Sequence, residues 1–412
     1  MSTFLCLYSI FLLALNNQVF PSVLTRLGGS AARQGLFLSF LFLLLPLSSV
    51  CAGLLADRIG KKAVLIAGSL FLAIPFAASA FLQSYWARLI AVLSFGIGLG
   101  TVEGQASALL TDLHPGKERA MINLSQVFFC AGAAGGPFFI SLSYRLVPDL
   151  RLRTLLLVVA LFTSTVMIGF FFLQTKHAVS ESEGSDPGYH RVEGLYQAGH
   201  KPVSYQPAGF QPDGFQPAGF RRILSDRTGR LLLLSIFIYT APEMGTAGWL
   251  VKYSETVIHL QQVLAPLALT FFWGGLAASR FLVVFFFHSI KDTKLLTASL
   301  IITLLFQVLA FLVRLPLAAL LCFFFLGFGM GTVWPTLISM AGSRYRKSTG
   351  SAVGIMVASS ASAIPIIHLL IGLFSQEALF GLRYTLCGLL LFTATNLLIV
   401  RRIEKIQRDT TG

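Results

Sequence analysis

The sequence predicts an all-α integral membrane protein with twelve transmembrane helices arranged as two pseudo-symmetric six-helix bundles. Three observations carry this reading. Of the 412 residues, 55% are hydrophobic and only 12% are charged, against roughly a quarter charged in a soluble domain, so water is the wrong solvent for most of the surface. Apolar runs of about 20 residues, the length that crosses a hydrocarbon core, recur twelve times along the chain. A polar segment divides those runs six and six.

Span 1 covers residues 1–25 and is uncharged, but it carries the polar triplet Asn16, Asn17 and Gln18. It lacks a basic leader region and a small-residue cleavage pattern, so it reads as a retained helix and not as a removable signal peptide. Spans 2, 3, 5, 6, 9 and 10, at residues 35–56, 63–87, 120–144, 154–175, 295–313 and 315–343, contain no Asp, Glu, Lys, Arg or His. Spans 4, 7, 8 and 11 each hold one ionisable residue: 89–111 with Glu103, 231–251 with Glu243, 260–287 with Arg280 and 348–376 with His368. Span 12 covers 384–400. The five cysteines, Cys6, Cys51, Cys130, Cys322 and Cys387, lie inside apolar runs without Cys-x-x-Cys spacing, and they read as small buried hydrophobes, not as disulfides or metal ligands.

A net charge of +14 suggests nucleic acid in a soluble protein. Here the Lys and Arg residues fall between apolar runs, where they act as topological signals. An even number of spans puts both termini on one side. The connections on that side, with the C-terminal tail, hold 21 of the 31 Lys and Arg residues, which predicts that both termini are cytoplasmic and that the protein is multi-pass in a cell membrane, plasma or bacterial inner. No nucleic-acid partner is expected.

Four sections follow from the pattern: an N-terminal six-helix bundle over 1–175, a cytoplasmic linker over 176–228, a C-terminal six-helix bundle over 229–402 and a cytoplasmic tail over 403–412. The linker ends in tandem Gln-Pro-x-Gly-Phe pentads at 206–210, 211–215 and 216–220. Pro and Gly recurring every fifth residue prevent a helix, and the aliphatic content is too low for a core. It reads as a tether.

An internal repeat joins the two bundles. Gly96-Ile-Gly98-Leu-Gly100-Thr101-Val102-Glu103 aligns with Gly327-Phe-Gly329-Met-Gly331-Thr332-Val333-Trp334 at a constant offset of 231 residues, pairing span 4 with span 10. Glycines four apart give each helix a flat strip for close packing. The same offset carries Asp57 onto His288 and the basic 4–5 connection onto the 10–11 connection.

Between spans 2 and 3 the chain reads Gly53-Leu54-Leu55-Ala56-Asp57-Arg58-Ile59-Gly60-Lys61-Lys62. This resembles the Gly-x-Leu-Ala-Asp-Arg-x-Gly-Arg-Lys signature of the major facilitator superfamily, at the connection where that superfamily carries it. The resemblance implies the major facilitator fold, secondary transport by alternating access, and a gating role for Gly53, Asp57, Arg58, Gly60 and Lys61. Physically, Gly60 permits the turn, and a carboxylate at a helix end can hold neighbouring basic groups and a helix N-terminus.

An ionisable side chain at mid-membrane costs several kcal/mol unless paired or hydrated, so each is a candidate site. Glu103 lies in mid-span 4 near Gln105, without a positive residue within one turn, and is expected to bind substrate or a proton. Glu243 follows Pro242 and precedes Gly245 and Gly248, which predicts a broken helix 7 with backbone open to a cavity. Arg280 can pair with either acid, or contact solute. His368 reads as a buried structural histidine. Asn16 and Asn17 are candidates for binding hydroxyls, with interhelical hydrogen bonding as the alternative. Among Trp249, Trp273 and Trp334, any ring can stack on a sugar face or anchor a helix; Trp334, paired by the repeat with Glu103, is the one expected to face the cavity.

Within the superfamily several segments are similar to the fucose-proton symporter family and its sodium-dependent glucose transporter relatives. That family's Tyr-x-Gly-x-Glu followed by Trp stands here as Tyr239-Thr240-Ala241-Pro242-Glu243 and Trp249, and its Trp-Gly then Gly-Arg as Trp273-Gly274 and Ser279-Arg280. Gly331 to Ser339 is similar to its segment ending Phe-Pro-Thr-Leu-Ile-Ser. The resemblance implies a small hydrophilic substrate, a hexose, with a coupling ion, proton or sodium. Span 1 departs from the pattern, offering Asn16 and Asn17 where the proton symporters carry an aspartate, so proton coupling would rest on Glu103 or Glu243. Two alternatives stand beside it: a drug or metabolite efflux antiporter, although Gly136-Pro137 is followed by Phe-Phe-Ile-Ser and not by further glycines, and a transporter-derived sensor or scaffold acting through the linker repeats. No covalent chemistry, cofactor or metal is expected. The partners expected are solute, coupling ion and lipid, with the protein acting as a monomer.

Overall fold

The computed structural model describes residues 2–82, 84–114, 118–172, 223–286, 290–345 and 349–411. Among these, twelve helices are long and apolar enough to cross a membrane, and each falls on one of the runs read from the sequence. Helical hydrogen bonding is what an apolar segment needs in lipid, where no water can satisfy the backbone. Large apolar side chains such as Ile90, Leu161, Leu315 and Leu391 are exposed on the outside, a surface that only hydrocarbon tolerates. The linker repeats and most of the 176–228 section lie outside the described residues; Ile223, near its end, packs on Tyr345 and Ala352.

Helix 1 comprises Ser2–Asn17 and Val19–Ser22, with a break at Gln18. Helix 2 comprises Ala31–Leu43 and Leu45–Ile59, broken at Leu44, where Pro46 opens the second segment without an amide to donate. Helix 3 is Lys61–Phe81, helix 4 is Tyr85–Asp112, helix 5 is Glu118–Leu146 and helix 6 is Leu152–Phe172. In the second half, helix 7 is Arg227–Thr256, helix 8 Pro266–Phe286 and helix 9 Asp292–Leu312. Helix 10 comprises Pro316–Met330 and Val333–Arg344, helix 11 is Thr349–Phe374 and helix 12 Gly381–Thr411. Helix 12 therefore runs on through most of the expected 403–412 tail.

One expectation is corrected here. Helix 7 is continuous through Pro242, and the break falls instead in helix 10, at Gly331 and Thr332. Helix 7 tolerates its proline because the turns on both sides are buried against neighbours from Tyr239 to Val251. In helix 10 a glycine pair-spaced with Gly327 comes just before Pro335, which favours interruption.

The repeat is visible in the packing as well as in the sequence. A methyl group added at Gly98 would stand 2.6 Å from Leu72 N, and at Gly329 2.7 Å from Thr303 N. At Gly100 it would stand 2.7 Å from Leu45 O, and at Gly331 2.5 Å from Leu276 O. Gly96 meets Leu41 O, and Gly327 meets Phe272 O. Each contact in the first half is matched in the second at the same 231-residue offset, so helices 2, 3 and 4 pack as helices 8, 9 and 10 do.

The signature between helices 2 and 3 forms a tight corner. Gly60 holds φ at 87°, a left-handed conformation that glycine adopts freely, and its N–H closes helix 2 on Ala56 O at 2.9 Å. Lys61, the first residue of helix 3, pairs with Asp112 at the end of helix 4. Arg58 is exposed and Gly53 half-buried; the Asp57 side chain lies outside the described set. At the matching end of the second half, Asp226 caps helix 7 and accepts from Arg344 Nε at 2.6 Å and from the Tyr345 hydroxyl at 2.6 Å. Burial pushes the Asp226 carboxyl upward, but these hydrogen bonds and the guanidinium charge overcome it and hold the pKa down to about 2.

Candidate solute site between the two halves

The two bundles meet mainly through two helix pairs, helix 2 with helix 11 and helix 5 with helix 8. The contact is uneven along the membrane normal. The first segment of helix 2, on the side away from the termini, packs closely on helix 11, whereas its second segment barely touches it. Three side-chain hydrogen bonds across the seam reinforce the far side. Ser39 donates to Pro365 O at 2.7 Å, Ser141 to Val263 O at 2.5 Å and Thr270 to Ala134 O at 3.1 Å. All lie in the halves of these helices remote from the termini. The bundles are thus closed on the far side and part toward the terminal side.

At the level where they part, four helices bring their functional side chains together. Arg280 of helix 8 donates from Nε to Gly331 O at 2.9 Å, in the break of helix 10, and from Nη1 to Cys130 Sγ of helix 5 at 3.3 Å. It therefore touches both halves. The break leaves the Gly331 carbonyl free of a helical partner, and a guanidinium is well suited to take it. Glu243 of helix 7 is buried, lies beside the Tyr239 hydroxyl and within the field of Arg280; Tyr239 itself donates to Met330 O at 2.6 Å. Among the described residues the Arg280 guanidinium makes no ion pair with either acid at contact distance, so it keeps capacity for another acceptor.

Glu103 takes a different position. It is half-buried on helix 4, makes no hydrogen bond or ion pair among the described residues, and adjoins Gly104, which faces open space. Gln105 is buried behind it. Asn16 is engaged in joining helices, its amide donating to Thr163 of helix 6 at 2.9 Å. Asn17, by contrast, is buried with Oδ1 unpartnered. Trp273 is fully buried with its indole N–H unpartnered, its ring edge-on to Phe129 of the other half at 6.2 Å. Trp334 is half-buried and donates to Ser360 at 3.3 Å, and Ser360 in turn is 2.8 Å from Thr240. His368 stacks on Phe42 of the opposite half at 5.6 Å and fills the space over Gly248.

The structure thus brings Glu243, Arg280 and the helix 10 break together between the halves, with Trp273 two turns farther along helix 8. Two participants escaped the sequence reading. Cys130 looks like a packing residue in an apolar run, and only the fold sets it under Arg280. The carbonyls of Met330 and Gly331 carry no side-chain signal, although the Gly331-Thr332-Val333-Trp334-Pro335 string marks where a helix can break.

Two pseudo-equivalent bundles, parted on one side around a mid-membrane cluster of charges, define a membrane transporter. The profile of the Major Facilitator Superfamily matches residues 2–368, and the chain belongs to that family. It is 22% identical over 331 residues to the MFS-type transporter YfkL of Bacillus subtilis, covering 79% of this chain and 75% of that one. Among solved structures it is similar to a bacterial homologue of the human lysosomal transporter Spinster in its inward-facing and unoccupied conformation, with a TM-score of 0.74 and 15% identity over 98% of this chain and 97% of that one. The nucleoside transporter NupG follows at 0.72 and 12%, covering 98% of each chain. The fucose:proton symporter FucP of E. coli follows at 0.61 and 16%, covering 97% of each.

Proposed function

We propose that the protein is a secondary active transporter moving a small, neutral, hydroxyl-rich solute, a sugar in the first instance, by alternating access with proton or sodium coupling. The observation that carries this reading is the site at the parting of the halves. The reading draws on one acid there, Glu243, within the field of Arg280, and on a second acid on helix 4, Glu103, which has no partner among the described residues. A net anionic solute would meet two carboxylates there. A neutral polyol finds donors and acceptors on Arg280, Trp273, Asn17 and Glu243, and Glu103 remains to carry the coupling proton. Trp334, half-buried near Ser360, would add a stacking surface. Similarity to a fucose:proton symporter and a nucleoside transporter, whose named solutes both carry a sugar ring, supports the same chemistry.

In this reading both termini are cytoplasmic, the structure faces inward, the protein sits in the plasma or bacterial inner membrane, and it works as a monomer. The Gly60 corner and the Lys61–Asp112 pair, with Gly53, Asp57 and Arg58 around them, act at the terminal-side gate. Uptake of labelled hexoses and nucleosides into proteoliposomes, with and without an imposed pH or sodium gradient, tests the proposal. Gradient-dependent accumulation supports it. Extrusion of amphipathic dyes with no sugar accumulation would replace it with an efflux antiporter.

A further inference from the structure

The far-side closure holds a feature that neither the solute site nor the helix packing explains. Most of the seam there is apolar or backbone contact, as at Gly35, whose added methyl would stand 2.5 Å from Gly372 Cα. The end of helix 7 is different. Within one turn it carries two charged residues, Lys252 and Glu255, both half-buried, and among the described residues they form no ion pair with each other. Each faces the other half of the protein. Lys252 Nζ donates to Gln34 Oε1, at the start of helix 2, at 2.5 Å, with the Trp249 ring 5.3 Å away beneath it. Glu255 lies beside Thr25 and within the field of Arg26, in the turn after helix 1, and Arg26 is itself seated over the Tyr144 ring of helix 5 at 3.4 Å.

Permanent packing does not need such groups, because burying charge is costly and an apolar side chain of equal volume packs as well. A contact that must open repeatedly is different. Polar ends rehydrate when the surfaces separate, whereas apolar ends would expose hydrocarbon to water at every cycle. The buried oxygen Ser22 Oγ lies along this junction of helices 1 and 7 without a partner among the described residues, as expected of a surface built to meet water in another state.

We infer that Lys252 with Gln34, and Glu255 with Thr25 and Arg26, form a hydratable latch that holds the far side closed and sets which way the resting transporter faces. These are positioning residues for the transport cycle and make no contact with the central site. The inference extends the alternating-access reading, and its test needs no solute.

Ser22, buried and next to the latch, is replaced by cysteine in the full-length protein in proteoliposomes, and a membrane-impermeant maleimide is applied from the far side. The same backgrounds without Ser22→Cys give the labelling of the native cysteines, which is subtracted. Lys252→Ala, Gln34→Ala and Glu255→Gln are each expected to raise the labelling rate at least about fivefold, an equilibrium shift of about 1 kcal/mol. Lys252→Ala combined with Gln34→Ala should add little to Gln34→Ala alone, which already breaks the pair and also removes the Gln34 amide from Leu24 O and Gly28 O. Lys252→Arg, which keeps a cationic donor for Gln34, should stay near the parent rate. Rates within twofold of the parent for both Lys252→Ala and Glu255→Gln would overturn the latch, as would Lys252→Arg rising as far as Lys252→Ala. Faster labelling in a protein that moves no sugar would uphold the latch and defeat the solute assignment alone.

Discussion

Gly35 and Gly372 give the sharpest quantitative test of the two-half closure. A Cβ at Gly35 would stand 2.5 Å from Gly372 Cα and 2.6 Å from His368 O, whereas unstrained carbon contacts begin near 3.5 Å. The neighbours are backbone, so no side chain can swing away. Helices 2 and 11 must therefore retreat by about 1 Å at this level, or the methyl must be accommodated by strain of about 1–3 kcal/mol. Because the strain exists only where the far side is closed, it bears on the equilibrium between the two facing states, and 1–3 kcal/mol corresponds to roughly a 5- to 150-fold shift toward the far-side-open form. Spin labels on Ser30 and Glu377, exposed on opposite halves of the far face, would report it in pulsed dipolar distance measurements. Gly35→Ala should move population from the short distance to a longer one, and Gly372→Ala should do the same. A distance distribution unchanged by both substitutions would show that the backbones do not meet at this point, and the argument for far-side closure would fail with it.

Three further outcomes follow from the same geometry. Glu103→Gln should abolish proton-driven accumulation, which for one proton is about tenfold per pH unit, while leaving solute exchange at equal concentrations intact; retained accumulation would move the proton to another group. Arg280→Lys lacks the planar fork that reaches the Gly331 carbonyl and Cys130 together, and the loss of a charge-assisted hydrogen bond of about 1.5–3 kcal/mol should weaken solute binding roughly 10- to 100-fold in a direct binding assay. At the terminal side, the Asp226 pKa is lowered to about 2 from an ordinary 3.8, so its contribution to stability is present above about 4 and is lost as pH falls toward 2. Asp226→Asn should therefore lower the melting temperature of the purified protein at neutral pH, and the gap to the parent should close on acidification through that range.

The sequence made the twelve spans legible because lipid imposes one requirement on every residue of a span, and a run of uncharged side chains satisfies or violates it locally. The halves were legible for a different reason. Gly96, Gly98 and Gly100 repeat at Gly327, Gly329 and Gly331 since each is pressed against the backbone of a neighbouring helix, and a close approach leaves no choice of residue. The interior charges were equally visible, because Glu103, Glu243 and Arg280 stand alone in apolar text. What those charges touch was not visible. Arg280 was free to pair with either acid on paper, and it reaches instead a carbonyl and a thiol, partners that composition does not advertise. Asn16 and Asn17 look identical in the sequence, yet about 100° of helical phase between consecutive residues puts Asn16 against Thr163 and leaves the Asn17 oxygen unpartnered.

The position of the break follows from the same distinction between local and non-local causes. Helix 7 has the stronger local signal, a proline followed by Gly245 and Gly248, and it stays intact because neighbours grip it on both sides of Pro242. Helix 10 has a weaker signal and breaks at Gly331, where Arg280 is present to take the exposed carbonyl. Its counterpart at the repeat offset, Gly100 in helix 4, has Ser49 where the second half has Arg280, and helix 4 remains unbroken. The two halves share their packing but not this charge, so this asymmetry between them lies at the junction of helices 7, 8 and 10.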